Sequence, residues 1–104
     1  MSVVSVYCVF ANAEEAARIG RIVTEERLAA CINILGECHS IFRWQGEVQE
    51  ASEIPAILKT AAHQADALIA RIAGLHSYDV PAITVWPIEK LLVSYAEWVE
   101  GSSG

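Results

Sequence analysis

The stretch IFRWQGEVQEASEIPAILKT, Ile41 to Thr60, decides the fold. Ile41-Phe42-Arg43-Trp44 is rich in β-formers, and Gln45-Gly46 reads as a tight hairpin turn in which glycine takes a positive φ without steric cost. The return arm runs from about Glu47 to Thr60. Pro55 interrupts it and has no N–H for a ladder, so a bulge or an unpaired edge is expected there. On the other side of the turn, residues 30–44 read as one long β segment. The two arms make an unusually long hairpin.

Outward from the hairpin the pattern alternates. Residues 3–10, VVSVYCVF, read as a strand whose faces, Val4-Val6-Cys8-Phe10 and Val3-Ser5-Tyr7-Val9, are both largely apolar. Such a strand is central and covered on both sides. Asn12 and Glu15 form a capping-box variant that starts a helix near Ala13, running to about Leu28 with Ala16, Ile19, Gly20 and Val23 on its apolar stripe. Ala65, Leu68, Ile69, Ile72 and Leu75 repeat at helical spacing within a second helix over about residues 62–75. Residues 82–88 read as a last strand and 94–99 as a short helix, with 101–104 as a flexible tail. The order βαββαβ predicts one α+β domain over residues 1–100, a ferredoxin-like split βαβ sandwich with two helices on one sheet face. The other sheet face and the far end of the hairpin then need a cover, which a partner subunit would supply.

Composition narrows the function. A chain of 104 residues buries a modest core, yet 54% of the residues are hydrophobic, and that excess points to an oligomer interface. No apolar run approaches ~20 residues, so a membrane span is not expected. Seven basic against thirteen acidic residues give a net charge of −6, which disfavours nucleic acid and anionic membrane surfaces. The N-terminus shows no secretory pattern, and the three cysteines, Cys8, Cys31 and Cys38, contain no Cys-x-x-Cys pair. Both observations lead to the expectation of a cytoplasmic protein with reduced thiols.

Five segments together resemble the CutA divalent-cation tolerance family: Glu26 to Asn33, Phe42 to Glu47, Ile57 to Thr60, Leu75 to Ile83, and Tyr95-Ala96-Glu97-Trp98. The resemblance spans about residues 3–99 and implies a ferredoxin-like homotrimer with a link to copper and other divalent ions. It carries the family's copper ligands onto Cys8 and His76. Leu75 stands where some relatives have a second histidine, and Ser77 replaces the usual proline. The predicted topology brings Cys8 and His76 to one end of the sheet, and thiolate with imidazole suits copper or zinc. The alternative makes Cys8 a small core residue and His76 a helix C-cap.

Other candidates read as structural. Cys31 is packing, His63 is surface, and Cys38 and His39 point to opposite strand faces. Glu14-Glu15 and Glu25-Glu26 read as ordinary solvated charge. Catalysis by a Cys8–His76 pair is disfavoured, because no orienting group or oxyanion-hole motif accompanies it; no enzyme is expected. Trp44 is expected to be buried at a subunit interface. Lys59, Trp44 and Tyr78 could line a cleft between subunits in which the lysine holds a small anion, but a Lys59 side chain snorkelling at the interface is the preferred reading. The resemblance to signal-transduction trimers makes a small-molecule sensor or signalling trimer using inter-subunit clefts the alternative function. An unidentified small ligand or protein partner fits either reading.

Overall fold

The computed structural model describes residues 2–104. Its elements are β1 (Val3–Phe10), α1 (Ala13–Glu25), β2 (Cys31–Ile34), β3 (Cys38–Trp44), β4 (Glu47–Ala61), α2 (Ala65–Leu75), β5 (Ile83–Pro87) and α3 (Val93–Ser102). The sheet is antiparallel in the order β2-β4-β1-β5, and β3 continues along β4 beyond β2. This is the ferredoxin-like α+β arrangement expected from the sequence. Strand β1 is central, paired with β4 and β5. Its Val4-Val6-Cys8-Phe10 face packs with Ala56 and Leu58 under Ala16, Ile19 and Val23 of α1 and Leu68 and Ile72 of α2.

The first hairpin arm is split rather than continuous. Cys31 pairs with Lys59 and Ile34 with Ala56, whereas Cys38 pairs with Glu53. Three residues, 35–37, therefore face two, Ile54 and Pro55, and the extra residue is a bulge. Leu35 N–H bonds the Pro55 carbonyl at 2.9 Å. In an antiparallel strand the N–H and C=O of one residue point to the same side. The donor that Pro55 lacks would thus face the interrupted ladder, so the proline costs no regular strand bond. Beyond the bulge the hairpin turns at Gln45 (φ 50°) and Gly46 (φ 81°), the left-handed pair a two-residue hairpin loop needs. The hairpin contributes to a longest dimension of 44 Å against 25 and 23 Å.

Several boundaries depart from the sequence reading. Helix α1 begins as expected, with Asn12 Oδ1 accepting from Glu15 N–H at 2.8 Å, but it stops at Glu25 instead of reaching Leu28. Arg27 takes φ 62° and reverses the chain, and Leu28 and Ala29 N–H both bond Val23 O. A left-handed non-glycine residue costs about 1–2 kcal/mol. The chain end helps to hold it: Arg27 donates to Gly101 O at 2.7 Å and Gly104 O at 3.0 Å, and its carbonyl accepts from Gly104 N–H. Residues 101–104 are therefore not a flexible tail. Helix α3 runs through Ser102, and Ser103, only 2% exposed, donates to Val99 O and accepts from Ala61 N–H. Their Gly-Ser composition suggested flexibility, but the Ser103 hydroxyl satisfies a buried backbone donor of β4.

Helix α3 also modifies the second sheet face. Ala96 and Val99 pack on Val3 and Ala30, covering one end of that face. The rest carries Tyr7 stacked on Trp86, which stays exposed. The second helix also starts later than expected, after a 3-10 turn at Ala62–Gln64.

Close packing of α1 on β2 depends on Gly20. A Cβ there would lie 2.8 Å from Ile32 Cδ1 and 2.9 Å from Ile32 Cγ2. Isoleucine is stiff at χ1 and cannot swing aside freely. Gly20→Ala gains ~1 kcal/mol of helix propensity but overpacks the joint by about 1–3 kcal/mol. The expected outcome is lower stability in the wild type and restored or improved stability in an Ile32→Ala background. Denaturant titration at fixed protomer concentration checks it, and equal effects in both backgrounds would refute the contact.

Candidate ligand cleft and the neighbouring Cys8 and His76

A cleft of about 550 Å³ opens where the hairpin leaves the sheet. Strand alternation puts Ser40, Phe42 and Trp44 of β3 on the sheet face that α1 and α2 leave uncovered, the face that carries Val9 of β1. Glu53 and Gln49 of β4 join them, and Tyr78, Asp79, Val80 and Ala82 of the loop after α2 complete the lining. Glu53 is only 8% exposed. Its Oε2 accepts from the Tyr78 hydroxyl at 2.7 Å, and its Oε1 forms no hydrogen bond among the described residues. Burial, the bond to Glu53 and the charges of Glu53 and Glu15 push the Tyr78 phenol up to about 12, so it remains a donor.

Cys8 and His76 lie behind the cleft, on the helix side of β1, at the same end of the sheet as the topology predicts. His76 is the C-cap of α2, its N–H bonding Ile72 O, and its ring stacks on Phe10 at 5.2 Å. Nε2 donates to Val9 O at 2.8 Å, and Nδ1 accepts from Tyr78 N–H at 3.0 Å. Both nitrogens are thus engaged in this tautomer. Cys8 is fully buried in the core, and burial, with the charge of Glu15, pushes its thiol up to about 12. A metal needs thiolate and a free imidazole lone pair. The two residues are neighbours but offer neither, so they do not fit an ion as arranged. Among the described residues no group of three or more His, Cys, Asp and Glu side chains is placed to hold one.

Glu15 is not ordinary solvated charge. It is 7% exposed, its Oε2 accepts from Ser77 Oγ at 2.6 Å, and its Oε1 lies 3.3 Å from His76 Nδ1. The capping-box position gave a signal that its backbone starts a helix, but none that residues 76–78 fold over it. Glu14 and Glu25 are exposed as expected, and Glu26 makes a surface pair with Arg71. Lys59 is absent from the cleft lining, since it lies six residues along β4 from Glu53, about 20 Å at ~3.3 Å per residue. Trp44 lines the cleft but is 41% exposed within one chain. Cys31 packs beside the Tyr95 hydroxyl, while Cys38 and His39 diverge to Ser40 and Glu50.

The fold and this cleft define a ferredoxin-like α+β chain with an extended hairpin. Residues 4–102 match the family described as CutA1 divalent ion tolerance protein, and the chain belongs to that family. It is 44% identical over 92 residues to the divalent-cation tolerance protein CutA of Thermus thermophilus, covering 88% of this chain and 89% of that protein. It is 34% identical over 98 residues to human protein CutA, covering 94% of this chain and 55% of the human one, so it spans about half that relative's length. The crystal structure of CutA from Xylella fastidiosa superposes with a TM-score of 0.96 at 30% identity, over 100% of each chain.

The Cys8 thiol yields a prediction with a definite sign. Its folded value near 12 lies above the ordinary 9.0, so the folded chain holds this proton more tightly than the unfolded one. Its contribution is full below pH 9 and is lost as pH rises toward 12, at up to ~1.4 kcal/mol per unit. Denaturant midpoints across that window are expected to fall less steeply for Cys8→Ala than for wild type. Identical slopes would show that Cys8 ionises freely in the folded chain.

Proposed function

We propose that the chain works as a homotrimeric, non-enzymatic divalent-cation response protein with a small-molecule site in the Glu53–Tyr78 cleft. The observation that carries the reading is the nearly buried Glu53 carboxylate lining an open-sided aromatic cleft. Sites of this kind bury most of a small ligand and fix it with a few placed polar groups. Family membership supports the cation-tolerance role. The neutral Cys8 thiol supports a non-catalytic role, because a nucleophilic cysteine works as thiolate. Three free cysteines support a reducing compartment, the cytoplasm. Among the described residues no helix is long and apolar enough to cross a membrane.

Assembly is supported by what one chain leaves in water. Ile41 is 65% and Val48 63% exposed on the hairpin, and Trp86, Leu92 and Trp98 are exposed elsewhere. Among the described residues the outer edge of β5 and the outer edges of β2 and β3 have no strand partner. Light scattering on a size-exclusion peak is expected to give three times 11.3 kDa, and a monomer persisting at high concentration would overturn the assembly.

Copper stands highest in affinity for nitrogen and sulfur donors and is the ion to test. Calorimetric titration is expected to find Cys8→Ala and His76→Ala binding copper as wild type does, with assembly mass checked in each. Loss of binding in both correctly assembled variants would restore the pair as the ion site.

A further inference from the structure

We propose that the cleft selects a small alkylammonium ion, with Glu53 as its counter-charge and Phe42, Trp44 and Tyr78 as its aromatic walls. The inference rests on the cleft being the ligand site and adds the chemistry of the ligand. The first argument is charge. The ionisable carboxylates in the lining are Glu53 and Asp79, and among the described residues no lysine, arginine or histidine lines it. Glu15 adds negative charge from behind, near enough to act on Tyr78.

The second argument is desolvation. A carboxylate withdrawn from water is costly unless it is paired and hydrogen-bonded. Glu53 receives one bond, from Tyr78, while its Oε1 has no protein partner among the described residues and is left to the water of the cleft. A ligand that fills the cleft displaces that water, and only a cation then replaces it with a counter-charge. The third argument is the set of aromatic rings, whose quadrupoles attract a cation and especially one that carries its charge on alkyl groups.

The same features reject the alternatives. An anion would meet Glu53 and Asp79, and the Tyr78 proton is already committed to Glu53. A hard divalent ion needs about six oxygen ligands, and no group of three acidic, His or Cys side chains is placed for one among the described residues. A neutral apolar ligand would seal Glu53 further from water without a counter-charge.

The test compares choline with its neutral isostere 3,3-dimethylbutan-1-ol and its anionic analogue 3,3-dimethylbutanoate. Binding is read by calorimetry and ligand-observed NMR on the assembled wild-type protein. Choline is expected to bind saturably and at least about tenfold more tightly than the alcohol. Glu53→Gln is expected to lower choline affinity about tenfold and leave the alcohol unchanged. Because Glu53 also holds Tyr78, the exposed Phe42→Leu is the second variant, expected to weaken choline several-fold with the thermal midpoint kept. If the alcohol or the anion binds as tightly as choline and Trp44→Ala abolishes that binding, the cleft stands as a ligand site and the cation proposal falls. Unchanged choline affinity in a folded Glu53→Gln protein also overturns the proposal. If none of the three binds and Trp44 fluorescence resists acrylamide, a neighbouring subunit fills the cleft and both readings fall.

Discussion

The ring of His76 donates to the Val9 carbonyl at 2.8 Å and accepts from Tyr78 N–H at 3.0 Å, joining the loop after α2 to the end of β1. Stacking on Phe10 fixes the ring plane against the core. Tyr78 is thereby delivered to Glu53 on β4, and the wall of the cleft is tied to its floor. The Val9 N–H bond to Ala82 O at 3.3 Å closes the far end of the same loop. Without this imidazole the loop would have a single side-chain anchor to the sheet, the exposure-sensitive phenol–carboxylate bond. The histidine's chemistry here is geometric: two ring nitrogens with opposite roles span two backbones.

The cleft exists because the hairpin outruns the sheet. The bulge at residues 35–37 lets β3 continue along β4 after β2 has ended, and Pro55 sits opposite it, where no donor is required. A regular ladder would have demanded an N–H at that position. The bulge also separates the half-buried β2 residues packed on α1 from the exposed, aromatic β3 residues that form the cleft wall. Packing against the helices and the lining of the cleft are thus assigned to different segments of one arm.

Two nearly buried carboxylates flank β1 on opposite faces, Glu15 on the helix side and Glu53 on the open side. Each is met by a hydroxyl, Ser77 for Glu15 and Tyr78 for Glu53. Hydroxyl donors satisfy oxygen lone pairs but do not cancel the charge. Glu15 takes a second, longer bond from Ser77 N–H and lies beside the His76 ring. Glu53 lacks such company and faces the cleft, so the residual charge is presented there. Burial raises both Cys8 and Tyr78, and negative charge adds to it: Glu15 for Cys8, Glu53 and Glu15 for Tyr78.

The architecture was legible in particular residues. Alternation in VVSVYCVF set a central strand, Gln45-Gly46 set the turn, and Asn12 set the start of α1, because strand pleat, turn sterics and capping act within a few residues. The five segments that resemble the CutA family led to the family the chain belongs to. Topology even placed Cys8 and His76 at one end of the sheet. Their chemistry was decided elsewhere, since the environment of an ionisable group depends on residues distant in the chain. His76 meets Val9 across 67 positions, Ser77 meets Glu15 across 62, and Arg27 meets Gly104 across 77. The pattern of a sequence determines which faces are apolar and where the backbone turns. Only tertiary packing determines which carboxylate loses its water, which imidazole is already bonded, and whether a Gly-Ser terminus finds a backbone donor to satisfy.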